Sequence, residues 1–284
     1  MVHRCVRPLA VVGLSTLFAL ASSSSAQAQA FLGPTLRTFA VLGGTTSTCT
    51  GASVITGDVG VSPGPAVVGF PVPCTAVGTV RVPPDPLPAA AQLELTAAYT
   101  TLAGLPCGAT VGPDLAGLTL TQGVYCVGAG VSNLTGTLTL DGQGNPNAVW
   151  VFQMSSTLIT SPGATVSVVN GANACAVEWQ VSSSATLDTS TTFVGNILAL
   201  TAITMNNGAN LTGRALARNA AVTLINNNIS FAACGPGGGG GGVPPPFPPP
   251  PVPTLPQIAQ WALFAILLAS GAYLVSRRTR TTSR

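Results

Sequence analysis

The sequence predicts a mostly β protein: a β-solenoid with one long α-helix packed alongside it, plus a C-terminal transmembrane helix. Three observations carry that expectation. Three segments in the second half repeat about every 18 residues with alternating apolar and polar positions. One run of helix formers interrupts an otherwise strand-like chain, and an apolar run followed by arginines lies near its end.

Composition narrows the chemistry first. The 284 residues include 33 Gly, 24 Pro and 34 Thr, and only 6% are charged. Abundant Thr, Val, Ser and Gly favour short strands joined by tight turns. There is no lysine, and the only histidine is His3. Once residues 1–30 are removed, Ser-His-Asp and Cys-His nucleophiles, Schiff-base lysines, P-loops and histidine metal sites are all excluded. No enzyme activity and no cofactor is expected. The net charge of +3 belongs to the ends, where Arg4, Arg7, Arg277, Arg278, Arg280 and Arg284 lie. Between them Arg37, Arg81, Arg214 and Arg218 stand against Asp58, Asp85, Glu94, Asp114, Asp141, Glu178 and Asp188. Such a body is no nucleic-acid binder.

Residues 1–30 read as a secretory signal peptide, with Arg4 and Arg7, an apolar stretch from Leu9 to Ala21, and Ala-x-Ala at 26–28 and 28–30. Cleavage is expected after Ala30. Export accounts for the cysteines: Cys5 leaves, and Cys49, Cys74, Cys107, Cys126, Cys175 and Cys234 remain as an even set. Many pairings are open to six cysteines. Sequential pairing, 49 with 74, 107 with 126 and 175 with 234, is the expectation, because short loops on a rigid scaffold keep such partners close.

Residues 31–234 form the solenoid domain. Aligning Ser184–Ala199, Ala202–Ala217 and Ala221–Ser230 puts Thr186, Thr204 and Thr223 in one column, Phe193, Leu211 and Ile229 in a second, and Gly195 and Gly213 in a third. An 18-residue coil holds three short strands and three bends. Alternation along a strand then assigns faces. Ala185, Ile203 and Val222, with Leu187, Met205 and Leu224, belong inside; Ser184, Ala202 and Ala221, with Thr186, Thr204 and Thr223, point out. An earlier coil fits the same phase, with Ser155 and Thr157 outward and Leu158 inward. Neighbouring coils sit about 4.8 Å apart and alternate residues about 6.7 Å apart, so the outward set forms a flat grid of small hydroxyl and methyl groups.

The helix is expected at about 86–104. Asp85-Pro86 supplies an N-cap residue and a proline at the first helical position. Leu95, Ala98, Tyr99 and Leu102 share one face and should pack on the solenoid. Residues 235–257 are a flexible glycine run and a polyproline spacer, a stalk that cannot build a core. Residues 258–284 begin with the apolar run Ile258 to Val275, followed by Arg277, Arg278 and Arg280, and read as a membrane segment ending in the cytoplasm.

The stretches FAVLGG at 39–44, ITGDVGVSPG at 55–64, Gly69-Phe70, Ala97-Ala-Tyr99, GLTLTQGVY at 117–125, LTGTLTLDGQGNPNAVWVFQ at 134–153, CAVEWQV at 175–181, GNILALTAIT at 195–204 and GRALARNAAVTL at 213–224 together resemble the ice-binding protein (antifreeze) family. The resemblance implies a discontinuous right-handed β-solenoid flanked by one helix, and adsorption to an ice crystal surface through one flat face bearing a Thr-Ala/Gly-x-Thr/Asn pattern. Thr201-Ala202-Ile203-Thr204 fits that pattern fully, while residues 220–223 and 183–186 fit in part. In Thr45–Thr48, Thr46 and Thr48 face outward. The implied site is therefore Thr46, Thr48, Ser155, Thr157, Ser184, Thr186, Thr201, Ala202, Thr204, Ala221 and Thr223. Asp188 at the edge, and Tyr125 and Val127 in the coil before 155, are expected to interrupt its flatness. The tail, with Val252-Pro-Thr-Leu255, Trp261, an apolar helix and terminal arginines, resembles the IPTL-type bacterial sorting signal. That resemblance implies a membrane contact and an exosortase-like processing enzyme as partners, and an exported protein held at the cell envelope or released from it.

Two other readings share these features. A surface adhesin or structural envelope protein would use the same rigid rod and stalk, with no demand on the flatness of any face. A polysaccharide-cleaving β-helix needs paired acids in a groove, and the seven acids show no paired spacing.

Overall fold

The computed structural model describes residues 31–231. The signal segment, Cys234, the Gly/Pro linker and the C-terminal apolar run lie outside the described residues. Within them the chain winds through short parallel strands, and one helix, Leu87–Ala103, lies against them. Seven strands make one side of the winding. In spatial order they are Ser132–Leu134, Leu158–Thr160, Ala185–Leu187, Ile203–Met205, Val222–Ile225, Thr46–Thr50 and Ala66–Val68, every pair parallel. The earliest coils therefore stack beyond the latest one, which is the discontinuity that the resemblance implies.

The remaining strands join in one larger sheet because two of them turn a corner without breaking. Thr192–Ala199 and Asn210–Ala217 pair along their whole length and pass through Gly195 (φ 113°) and Gly213 (φ 152°). A Cβ on Gly213 would meet the Gly195 carbonyl oxygen, so only glycine fits there. This is the physical content of the glycine column in the repeat. One row on this sheet runs through Thr137, Thr165, Thr192, Asn210, Asn228, Val54 and Thr75, exposed at all but the half-buried Thr165. Asn210 and Asn228 are ladder neighbours, and the Asn228 amide donates to Asn210 Oδ1 at 3.2 Å.

The interior is apolar and layered. Tyr125, Phe152, Trp179 and Phe193 follow one another through consecutive coils, with ring centroids 5.6, 4.1 and 4.7 Å apart. Tyr125 and Val127 are buried, which corrects the expectation that they interrupt the outward face. They belong to Gly123–Val127, paired with Trp150–Met154; the outward strand of that coil is Ser132–Leu134 instead.

The helix carries the chain from one end of the stack to the other. Its 17 residues span about 25 Å at 1.5 Å per residue, close to the roughly 29 Å of six inter-strand steps. The residue at the N-cap is Pro86 rather than the expected Asp85, whose Oδ1 accepts the Leu87 N–H at 2.9 Å from one position further out. Ala91, Leu95, Ala98, Tyr99 and Leu102 pack on Leu36, Phe39, Leu42, Val151, Leu198 and Leu216. Polar contacts follow the same path. Gln92 Nε2 donates to the carbonyls of Gly43 and Ala217, Arg218 Nε donates to Thr96 Oγ1, and Gln153 Nε2 donates to the carbonyls of Leu102 and Leu105.

On that same sheet lies a buried polar column, one residue per coil. Glu178, Asn196 and Arg214 are registered neighbours, 0%, 1% and 5% exposed. Asn196 Nδ2 donates to Glu178 Oε1 at 3.0 Å, and Arg214 Nη1 donates to Asn196 Oδ1 at 3.1 Å. Arg214 also donates to the Arg37 carbonyl and stacks over Phe231. Glu178 Oε2 has no hydrogen-bond partner.

Two disulfides tie the coils, Cys49–Cys74 with Cα atoms 6.2 Å apart and Cys107–Cys126 at 5.7 Å. Both match the sequential pairing. Cys175 is disulfide-bonded as well, and its expected partner, Cys234, lies outside the described residues. Cys49 and Cys74 are buried and close a 25-residue separation, so replacing both by alanine should cost about 3 kcal/mol by loop entropy. A urea unfolding midpoint unchanged from the parent would refute that assignment of stability.

Candidate functional site

The seven-stranded side builds its outer surface from strand alternation. In Ala185–Leu187, Ile203–Met205 and Val222–Ile225 the flanking residues are buried and the central threonine points out. The pairing then aligns one outward residue per coil: Asn133, Ile159, Thr186, Thr204, Thr223, Thr48 and Val68, in that spatial order. Four threonines stand side by side at its centre. Two residues earlier along each strand runs a second row: Val131, Thr157, Ser184, Ala202, Ala221, Thr46 and Ala66. Within these seven strands neither row contains a charged or aromatic residue; Asp114, bridged to Asn133 one coil further out, ends the first row with a carboxylate.

The central hydroxyls are uncommitted. Thr46, Thr48, Thr186, Thr204 and Thr223 make no side-chain hydrogen bond among the described residues, and none of their hydroxyls is a buried unpaired atom. They are thus open to solvent water. Ser184 is different, since its Oγ accepts the Ala202 N–H at 3.3 Å across the coil step. Thr157 keeps its place in the second row, but its Oγ1 is shielded and unpaired, so what it leaves accessible is carbon.

Nine of the eleven residues named from the sequence fall in the two rows: Thr46, Thr48, Thr157, Ser184, Thr186, Ala202, Thr204, Ala221 and Thr223. Ser155 and Thr201 are exposed but sit in the bends before Leu158–Thr160 and Ile203–Met205, at the margin of the grid. In the coil of Ser155 the place next to Thr186 belongs to Ile159, 41% exposed. Sequence reasoning missed Ile159, Asn133 and Val68. The phase set by Thr157 already pointed to Ile159 two residues on, and Asn133 ends a stretch where the motif permits asparagine.

Asp188 lies where expected, two residues beyond Thr186 at the edge. Asn206 Nδ2 and the Thr189 N–H both bond its carboxylate, which holds its pKa below the ordinary value, the side-chain bond contributing most. The charge is thereby fixed at the rim, outside both rows. Arg214 and Arg218, the cations of the GRALAR stretch, are occupied with Asn196, the Arg37 carbonyl and Thr96 of the helix, and neither stands in the two rows.

A parallel solenoid with one side of registered rows of short, uncharged side chains defines a class: a β-solenoid protein with a threonine-rich wall. Known proteins place it further. The ice-binding-like family pattern matches residues 41–230. An ice-binding protein of Nostoc sp. (strain HG1) is 47% identical over 226 residues, covering 79% of this chain and 81% of that protein. Crystal structures of an ice binding protein from an Antarctic biological consortium (39% identity, TM-score 0.66, 78% of this chain and 96% of that one) and of an ice-binding protein from an Arctic yeast (27%, 0.63, 69% and 91%) share the fold. The chain belongs to the ice-binding-like family.

Proposed function

We propose that the chain adsorbs to ice through its threonine wall and so arrests the growth of ice crystals. The observation that carries this reading is the unbroken register of Thr186, Thr204, Thr223 and Thr48, whose hydroxyls have no partner among the described residues. Hydroxyls at fixed spacing hold ordered water, and the methyls between them disfavour competing arrangements, so a rigid array presents a layer that merges with the ice lattice. Each contact is weak. Many act together because the wall is ordered before it binds and loses little freedom on adsorption. Growth then stops where adsorbed molecules curve the advancing front. The absence of charge from both rows within the seven strands helps, since ionised side chains would keep their own hydration.

The same reading takes the product to be exported after loss of residues 1–30 and tethered at the bacterial envelope by residues 258–284, at least until an exosortase-like enzyme processes the tail. What supports it is the basic, apolar and Ala-x-Ala order of the first segment and the Pro-Thr-Leu, apolar and arginine order of the last. The decisive measurement is ice-crystal habit and recrystallisation with the exported protein at micromolar concentration. Faceted crystals and halted recrystallisation are expected; round crystals growing at the buffer rate would favour an adhesin or envelope scaffold.

A further inference from the structure

A wall of short strands is only as level as the corner at which those strands turn. Ile203–Met205, Val222–Ile225 and Thr46–Thr50, which carry Thr204, Thr223 and Thr48, all lead into one corner of the winding. There the buried residues Thr191, Ala209, Asn227 and Ser53 lie one above another, each just before the registered set Thr192, Asn210, Asn228 and Val54. Asn227 is 2% exposed and engages all of its polar groups. Its Nδ2 donates to the carbonyls of Asn206 at 2.8 Å and Ala209 at 2.9 Å, both in the preceding coil. Its Oδ1 accepts the Ile225 N–H at 2.5 Å within its own turn, where Asn226 takes a φ of 50°. Towards the following coil its N–H donates to Ser53 Oγ at 2.9 Å, and its carbonyl accepts the Val54 N–H at 2.9 Å. Ala209 has no polar side chain, and the longer amide beside it serves its carbonyl and joins the Ala209 N–H, 3.0 Å away, on the Asn206 carbonyl. Between the coils of Ile159 and Thr186 the tie is a different one, the Thr160 and Thr191 hydroxyls 2.8 Å apart.

We infer that Asn227 is the positioning residue of the wall. Its side-chain amide fixes its own coil against the preceding one, and its backbone carries that height on to the following coil, and with it the level of Thr204, Thr223 and Thr48. The inference rests on the ice-adsorbing reading above. Buried polar groups left unpaired drive local rearrangement, and a rearranged corner tilts the strands that leave it.

The test compares three variants of the full-length chain, exported from a bacterial host: N227A, N227T and, as a control for stability alone, L138A, which removes a buried side chain from the coil of Asn133. Thermal hysteresis is read at temperatures where circular dichroism shows all of them folded, and amide hydrogen exchange is read strand by strand. N227A is expected to lose about ten-fold in hysteresis, because adsorption is collective over the preorganised array, while L138A keeps the parent value at an equal or lower melting temperature. N227T, whose hydroxyl can serve one of the two carbonyls, should recover part of the loss. Exchange in N227A should quicken most in 203–205 and 222–225, less in 46–50, and stay unchanged in 158–160. Equal hysteresis in N227A and L138A, or uniformly faster exchange, overturns the inference. Should the parent itself leave ice unshaped, the ice reading fails, and the exchange pattern alone then supports or overturns the positioning role.

Discussion

The variant T204Y is expected to abolish ice shaping while leaving the fold intact. Thr204 stands at the centre of the row, registered to Thr186 on one side and Thr223 on the other, and its strand buries Ile203 and Met205 beneath it. A tyrosine there projects a ring above a surface of methyls and hydroxyls, so the neighbouring threonines no longer reach a flat lattice together. Loss of a collective contact at its centre is expected to reduce hysteresis by about ten-fold or more. Stability should change by less than about 0.5 kcal/mol, since tyrosine is a good strand residue and the side chain faces water.

The same replacement elsewhere makes the result specific. Thr192 is exposed and registered to Thr165 and Asn210, but on the other sheet. T192Y should keep parent hysteresis. Equal losses in T204Y and T192Y would place the ice contact elsewhere, and full activity in T204Y would remove the wall from the mechanism. A scaffold or adhesin using the rod as a spacer would show neither effect.

The solenoid was legible because its repeat constrains every level at once. The glycine column at 195 and 213 marks the corner that no side chain can occupy, and the Phe193, Leu211 and Ile229 column marks the interior. Where the repeat is regular, strand alternation placed Thr186, Thr204 and Thr223 on one face. It failed where coils differ in length. The coil after Tyr125 reaches the wall through Ser132–Leu134, and nothing local distinguishes that strand from Gly123–Val127, so burial of Tyr125 against Phe152 had no signal in the sequence. The stacking of Thr48 on Thr223 joins residues 175 positions apart in the chain. Periodicity is blind to that; only the resemblance supplied it. The corner residue Asn227 was hidden for another reason: within an Asn-Asn-Asn run, sequence alone does not say which amide points inward.

Raising the pH from about 5 to about 9 should destabilise the protein through Glu178, and E178Q should remove the effect. Burial pushes the Glu178 carboxyl up from its ordinary 4.5 to about 8, against the opposing pull of the Asn196 hydrogen bond and the charges of Arg214 and Arg37. Burial likewise lowers Arg214 to about 10, with Glu178 opposing and Arg37 reinforcing. The other acid on this side, Glu94, accepts the Leu36 N–H and lies near Arg37. Folding therefore favours the protonated carboxyl, and the folded chain binds more protons than the unfolded one between pH 4.5 and 8. Stability is greatest below the unfolded pKa and declines as pH rises through the folded one. By the proton-linkage relation the decline amounts to roughly 5 kcal/mol across that window. In E178Q the side chain is neutral at every pH and can still accept from Asn196, so unfolding midpoints should match the parent near pH 5 and exceed it near pH 9. A parent midpoint independent of pH over this range would mean that water or rearrangement solvates the ionised carboxylate. Ice adsorption, whose residues do not titrate, should follow only the folded fraction as pH is raised.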